Sequence, residues 1–147
     1  MKYFYSFSIF LILIIINGYI FNFINDTFFQ IQDSNEAFSQ YSGKEVFFIS
    51  IIFAPIVETI IFQYLAFYFL NNILKIKNNV IIIFIMSLLF GIAHHYNWIY
   101  VVMTFFSGAI LNYCFVFFNK EKGLRFSFFI TILLHSLYNL YGFLFVE

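Results

Sequence analysis

Glu58 is the only acidic residue inside any hydrophobic stretch of this 147-residue chain. A carboxylate at membrane depth costs about 2.5–3.5 kcal/mol on insertion scales, so it must face the protein interior, find a partner or be neutral. Two histidines, His94 and His135, lie in two other apolar stretches, and Asn139 follows His135 one helical turn later on the same face. A carboxylate beside an imidazole can deprotonate water and give a nucleophile at neutral pH. A second imidazole with a carboxamide one turn away can donate hydrogen bonds to an oxyanion. Together these are the parts for peptide-bond hydrolysis without a covalent intermediate. Two His and a Glu with an open water position also suit Zn²⁺. Acid and His residues in a bundle are, in addition, the parts of a proton or metal-ion pathway. Spacing alone does not separate these chemistries.

These residues need membrane helices to hold them. The chain is 63% hydrophobic and 10% charged, whereas soluble domains carry about 25% charged residues. The fold class expected is an all-α membrane protein, a bundle of about five transmembrane helices around a polar cavity. The first span runs from about Tyr3 to Ile24, and no small-residue cleavage site follows its apolar run, so it reads as an uncleaved helix. The polar stretch Asn25–Lys44 can hold a short interfacial helix that dips Phe28, Phe29 and Phe38 into lipid. The second span, Glu45–Asn71, would be about 40 Å long against a hydrocarbon core of about 30 Å. Tilt or a break at Pro55 would absorb the excess. The third and fourth spans, Val80–Tyr96 and Trp98–Phe118, form a tight hairpin. The fifth, Phe126–Val146, follows the basic turn Asn119–Gly123. Residues 1–44 form an N-terminal helix and polar loop, and residues 45–147 a four-helix core.

Other polar positions share helix faces. Ser87, Gly91, His94 and His95 fall at i, i+4, i+7 and i+8; Thr104, Gly108 and Asn112 at i, i+4 and i+8; Thr131, His135, Asn139 and Gly142 at i, i+4, i+8 and i+11. For Ser87, Gly91, Thr104, Gly108, Thr131 and Gly142 we read helix packing, because small residues let helices approach closely. His95 lies about 100° round the helix from His94 and reads as interfacial. Cys114 is the only cysteine, which excludes an intrachain disulfide and reads as a small buried residue. Net charge is zero with no basic block, which argues against nucleic acid as a partner.

With the N-terminus inside, the inner ends carry Lys2, Lys75, Lys77, Lys120, Lys122 and Arg125, and the outer ends only Lys44. This asymmetry predicts a multi-pass protein with a cytoplasmic N-terminus. It also puts His94 near the outer end of its span, while Glu58 and His135 lie near mid-depth. Their meeting requires a short or tilted third span, or a break at Pro55.

Three motifs resemble the CPBP intramembrane peptidases, the CAAX-protease and Abi (bacteriocin-immunity) family. Ala54-Pro55-Ile56-Val57-Glu58-Thr59-Ile60-Ile61-Phe62-Gln63 resembles the family's Glu-Glu-x-x-x-Arg segment with its Ala-Pro lead. Phe90-Gly91-Ile92-Ala93-His94 meets Phe-x-x-x-His, and His135-Ser136-Leu137-Tyr138-Asn139 meets His-x-x-x-Asn. The resemblance covers about Glu45 to Val146. It implies that Glu58 and His94 activate the water and that His135 and Asn139 hold the oxyanion. It implies no cofactor, a metal-independent glutamate mechanism, and a membrane-embedded or lipid-modified peptide substrate in the bilayer. A small member of this kind resembles the bacteriocin-immunity group, in a prokaryotic cytoplasmic membrane. Should a metal bind instead, Zn²⁺ on Glu58, His94 and His135 is the alternative.

The chain departs from the pattern at two supporting positions. Thr59 replaces the second Glu and Gln63 the Arg. At i, i+4 a neutral Thr–Gln pair can hydrogen-bond and leaves no unpaired charge. The departure also fits a catalytically impaired member that acts as a membrane binding or immunity protein. Members that act on prenylated substrates are expected to open to the cytosol, whereas the basic-residue asymmetry puts this cavity in the middle to outer half. The sequence leaves the side of access open.

Overall fold

A computed structural model describes residues 1–31 and 40–145. These form five helices and no strands: α1 (Lys2–Phe29), α2 (Gly43–Ile73), α3 (Asn79–Ala93), α4 (Trp98–Lys122) and α5 (Leu124–Phe145). Four are long and apolar enough to cross a membrane, and α3 is a shorter apolar helix. The protein is therefore an all-α, multi-pass membrane bundle. Phe38, Asp33, Glu36 and Val146 lie outside the described residues.

The helices run alternately up and down. Lys2 at the start of α1 pairs with Glu121 at the end of α4, 3.0 Å apart. Further along, Phe10 meets Tyr113 and Phe21 stacks on Phe106, so α1 and α4 are antiparallel. Tyr19 against Tyr141 sets α1 parallel to α5. Contacts of Phe47 with Phe143 and of Tyr64 with Phe128 set α2 antiparallel to α5. Helix α4 is central: Leu111, Cys114, Phe115 and Phe118 are fully buried. In lipid, association rests on such packing and on interhelical hydrogen bonds. Where α3 crosses α4, a Cβ on Gly91 would lie 3.0 Å from the Val101 carbonyl, and one on Gly108 2.9 Å from the Phe90 ring. Glycine is what lets the two backbones approach.

Several expectations are corrected. Helix α2 does not break at Pro55. It runs unbroken through π turns at Ile49–Phe53, Thr59–Leu65 and Phe69–Ile73. The turn before the proline explains why: Ala54 N–H bonds back to the Ile49 carbonyl, five residues away. The next such bond would run from residue 55 to Ser50, and proline has no N–H to make it. Instead Asn139 Nδ2 donates to the Ser50 carbonyl at 2.8 Å. Helix α3 ends at Ala93, so His94 is its C-cap (φ −99°, ψ 49°), and His94 and His95 leave the helix face on which the periodicity put them. Lys120 and Lys122 form the last turn of α4 rather than a loop, and Gly123 at φ +83° makes the connection alone. Cations there complement the negative end of the helix dipole. Asn25–Phe29 is a π turn continuing α1, and Phe29 packs edge-on against Trp98; the rest of the stretch expected to hold an interfacial helix lies largely outside the described residues. Gly142 is not a packing glycine, since a Cβ there would meet nothing within 4 Å.

Candidate active site

The short third helix is what brings the site together. Because α3 stops at Ala93, its cap His94 turns in toward α2. The last carbonyls of a helix lack intrahelical donors. His94 N–H bonds to the Gly91 carbonyl, and the His94 ring serves the Phe90 carbonyl through Nδ1 at 2.7 Å. A carbonyl only accepts, so Nδ1 carries a proton and Nε2 is the nitrogen turned to Glu58. The ring also rests on Phe90, 4.5 Å between centroids.

Glu58 is central in α2 and is supplied by the α-helical turn Ala54–Glu58 between two π turns. Its Oε2 lies 3.5 Å from His94 Nε2 and 3.6 Å from His135 Nε2. These separations are longer than a direct hydrogen bond and suit heteroatoms gathered around a shared proton or water. The side chain of His94 is 16% exposed, that of Glu58 23% and that of His135 4%. The Glu58 and His94 side chains thus keep part of their surface open, although Glu58 Oε2 itself is buried without a hydrogen-bond partner, while His135 is walled in. His135 Nδ1 meets no partner, and its Nε2 is the nitrogen that faces Glu58. Asn139, one turn on, is anchored on Ser50 through one amide hydrogen and has a second.

Glu58, His94, His135 and Asn139 all line one cavity of about 370 Å³. Its wall also includes Gly18 and Asn22 of α1, Ser50 and Ala54 of α2, and Tyr100, Thr104 and Ser107 of α4. The contribution of α1 was missed in the sequence. Asn17 donates to Ser107 Oγ at 2.9 Å and to the Met103 carbonyl at 3.1 Å. A Cβ on Gly18 would lie 3.2 Å from the Tyr138 hydroxyl, so Tyr138 lies over that glycine. The clustering of Asn17, Gly18 and Asn22 inside an apolar span was the available signal.

Thr59 and Gln63 are not in this cavity. Both are fully buried. They do not bond each other, contrary to expectation: Gln63 Nε2 donates to Asn112 Oδ1 at 3.1 Å, and Thr59 Oγ1 meets no partner. The π turn Thr59–Leu65 is the reason, because its wider turn takes i and i+4 off a shared face. Asn112 passes the chain on to Ser87 Oγ at 3.1 Å. Among the described residues, no group of three or more His, Cys, Asp or Glu side chains has metal-holding geometry.

The model of the type II CAAX prenyl endopeptidase Rce1-like family matches residues 45–141. The chain belongs to this family. It is thus a Rce1-like membrane protein of a CAAX-type protease family, and the matched stretch spans α2 to most of α5. No curated protein and no solved structure matches the chain. Helix α1 precedes the Rce1-like match, yet it supplies part of the cavity wall.

Proposed function

We propose that the protein is an intramembrane endopeptidase that hydrolyses peptide bonds with a water activated by Glu58 and His94. The observation that carries this reading is the convergence of His94 Nε2 and His135 Nε2 on Glu58 Oε2 at 3.5 and 3.6 Å, on the wall of a cavity of about 370 Å³. The water loses a proton to the Glu58–His94 pair, and its oxygen bonds to the scissile carbonyl carbon. The carbonyl oxygen becomes an oxyanion that accepts from His135 Nε2–H and from the second amide hydrogen of Asn139. The C–N bond then breaks, and the proton held by the pair passes to the departing nitrogen. The substrate is a membrane-embedded or lipid-modified peptide, in CAAX-type processing or bacteriocin self-immunity, and the setting is a prokaryotic cytoplasmic membrane. The scheme needs no metal.

A second reading, a membrane binding or immunity protein without turnover, is favoured by the neutral Thr59 and Gln63. Their separation from the cavity counts against it. Purified Glu58→Gln and His94→Ala proteins, reconstituted with a membrane-borne peptide, separate the two. The hydrolytic reading expects turnover lost in both with the fold intact. A folded wild type without turnover would leave the binding reading, and turnover retained in both variants would overturn the roles given to Glu58 and His94.

A further inference from the structure

We propose that the lipid-facing groove between α1 and α4 binds one anionic phospholipid, with an acyl chain along the groove and the phosphate among the lysines at its end. The site is separate from the Glu58 cavity and does not depend on hydrolysis.

The groove has a volume of about 560 Å³ and mostly apolar walls. One wall is the α1 stripe Ser6, Ile9, Leu13, Ile16 and Ile20, spaced in alternating steps of three and four residues. The facing wall is Phe106, Ile110, Tyr113 and Phe117 of α4, on the same steps. Ala109 in that wall is small, which leaves room between the helices. Ile9, Leu13, Ile16, Ile20, Phe106 and Tyr113 are exposed, so the groove faces lipid. Asn17 also lines it, but its amide is spent on Ser107 Oγ and the Met103 carbonyl. At 1.5 Å per residue the two walls are about 21 and 17 Å long, against about 15 Å for half of the hydrocarbon core. That length suits a single acyl chain lying along one leaflet, not a segment that crosses the membrane.

Both stripes run into a lysine, and at the same end of the groove. Lys2 stands four residues before Ser6, and Lys120 three residues after Phe117. Because α1 and α4 are antiparallel, these positions come together. Lys2 pairs with Glu121 at 3.0 Å, and Lys122 Nζ lies 4.4 Å from the centre of the Tyr3 ring. Against Lys2, Lys120, Lys122 and Arg125 stands a single acid, Glu121. An excess of cations where an apolar groove ends matches a lipid whose phosphate carries a net negative charge at the end of its chain. A zwitterionic lipid would fill the groove equally well and leave that excess unanswered. A second copy of this chain fits less well. Oriented alike in the membrane and related by a twofold axis, it would bring its own Lys2 and Lys120 against these two.

Native mass spectrometry of the full chain, released from mild detergent after equal amounts of phosphatidylglycerol and phosphatidylcholine are added, tests this. Wild type should retain one phosphatidylglycerol with a preference of about tenfold or more, the effect of one to two cations on an anionic lipid. Ala109→Phe fills the groove, leaves every lysine in place and should lose that lipid. Lys120→Gln combined with Lys122→Gln leaves the groove open and should retain the two lipids about equally. Circular dichroism checks that each variant keeps its helices; should Ala109→Phe not fold, Ser6→Phe at the mouth of the groove gives the same reading from α1. Equal retention of the two lipids by wild type would overturn the proposal. So would phosphatidylglycerol undiminished on the filled groove, which would mean attraction of the head group alone. A dimer of the chain without bound lipid, abolished by Ala109→Phe, would also overturn it and give the groove to a second copy.

Discussion

Asn139 on α5 donates its side-chain amide to the backbone carbonyl of Ser50 on α2, 2.8 Å away. That carbonyl is free because Pro55 has no N–H to close the π-type bond from residue 55 to residue 50. A proline three residues before Glu58 thus does not break its helix. It opens a docking point that fixes α5, and with it His135, against Glu58. Pro55→Ala restores a competing N–H. We expect it to lower kcat while the protein stays helical and folded, and Asn139→Ala to lower kcat further by about 10²–10³ if its second amide hydrogen serves the oxyanion. Kinetics on both variants check this. Equal and small effects would reduce Asn139 to a helix tether.

Gly108 is the second control point. A methyl there would press on Phe90 at 2.9 Å, and Phe90 supports the ring of His94. Gly108→Ala should cost about 1–3 kcal/mol of stability through overpacking. Its loss of turnover should exceed what a parallel change at exposed Gly43, where a Cβ meets nothing within 4 Å, produces. Thermal unfolding in detergent and turnover, measured together, separate the two effects.

The buried Gln63–Asn112–Ser87 series holds α2, α3 and α4 together apart from the cavity. Gln63→Leu strands the Asn112 carbonyl and should destabilise the protein by about 1–3 kcal/mol, the cost of an unsatisfied buried polar group. Turnover per folded molecule should hardly change. A selective loss of turnover with stability intact would show that this position acts on the chemistry.

Removing divalent metal is expected to leave hydrolysis unchanged. Turnover after dialysis against a chelator, with metal analysis of the purified protein, checks this. Stoichiometric Zn²⁺ with loss of activity on its removal would place the metal on Glu58, His94 and His135.

Much of this was legible in the sequence for a physical reason. Buried ionisable groups in apolar segments are costly, so Glu58, His94 and His135 stood out, and the family motifs paired them. Helix number followed from hydropathy. What escaped was local backbone geometry. The periodicity of Ser87 to His95 assumed that α3 continues, whereas the chain caps at His94 and thereby solves the depth mismatch with Glu58. Nor does the i, i+4 spacing of Thr59 and Gln63 reveal a π turn, which sends Gln63 to Asn112. The role of α1 was missed because Asn17 and Gly18 meet their partners on α4 and α5, which no local pattern connects to them.

The central claim is that Glu58 and His94 act as one unit on one water. The most direct measurement is a double-mutant cycle: kcat of wild type, Glu58→Gln, His94→Ala and the double variant on one membrane-borne peptide. Loss of a general base of this kind costs about 10²–10⁴ in rate. Groups that act as a unit are strongly non-additive, so the account predicts that the double variant is no slower than the slower single. Independent, multiplicative losses, or turnover retained in either single variant, would contradict it.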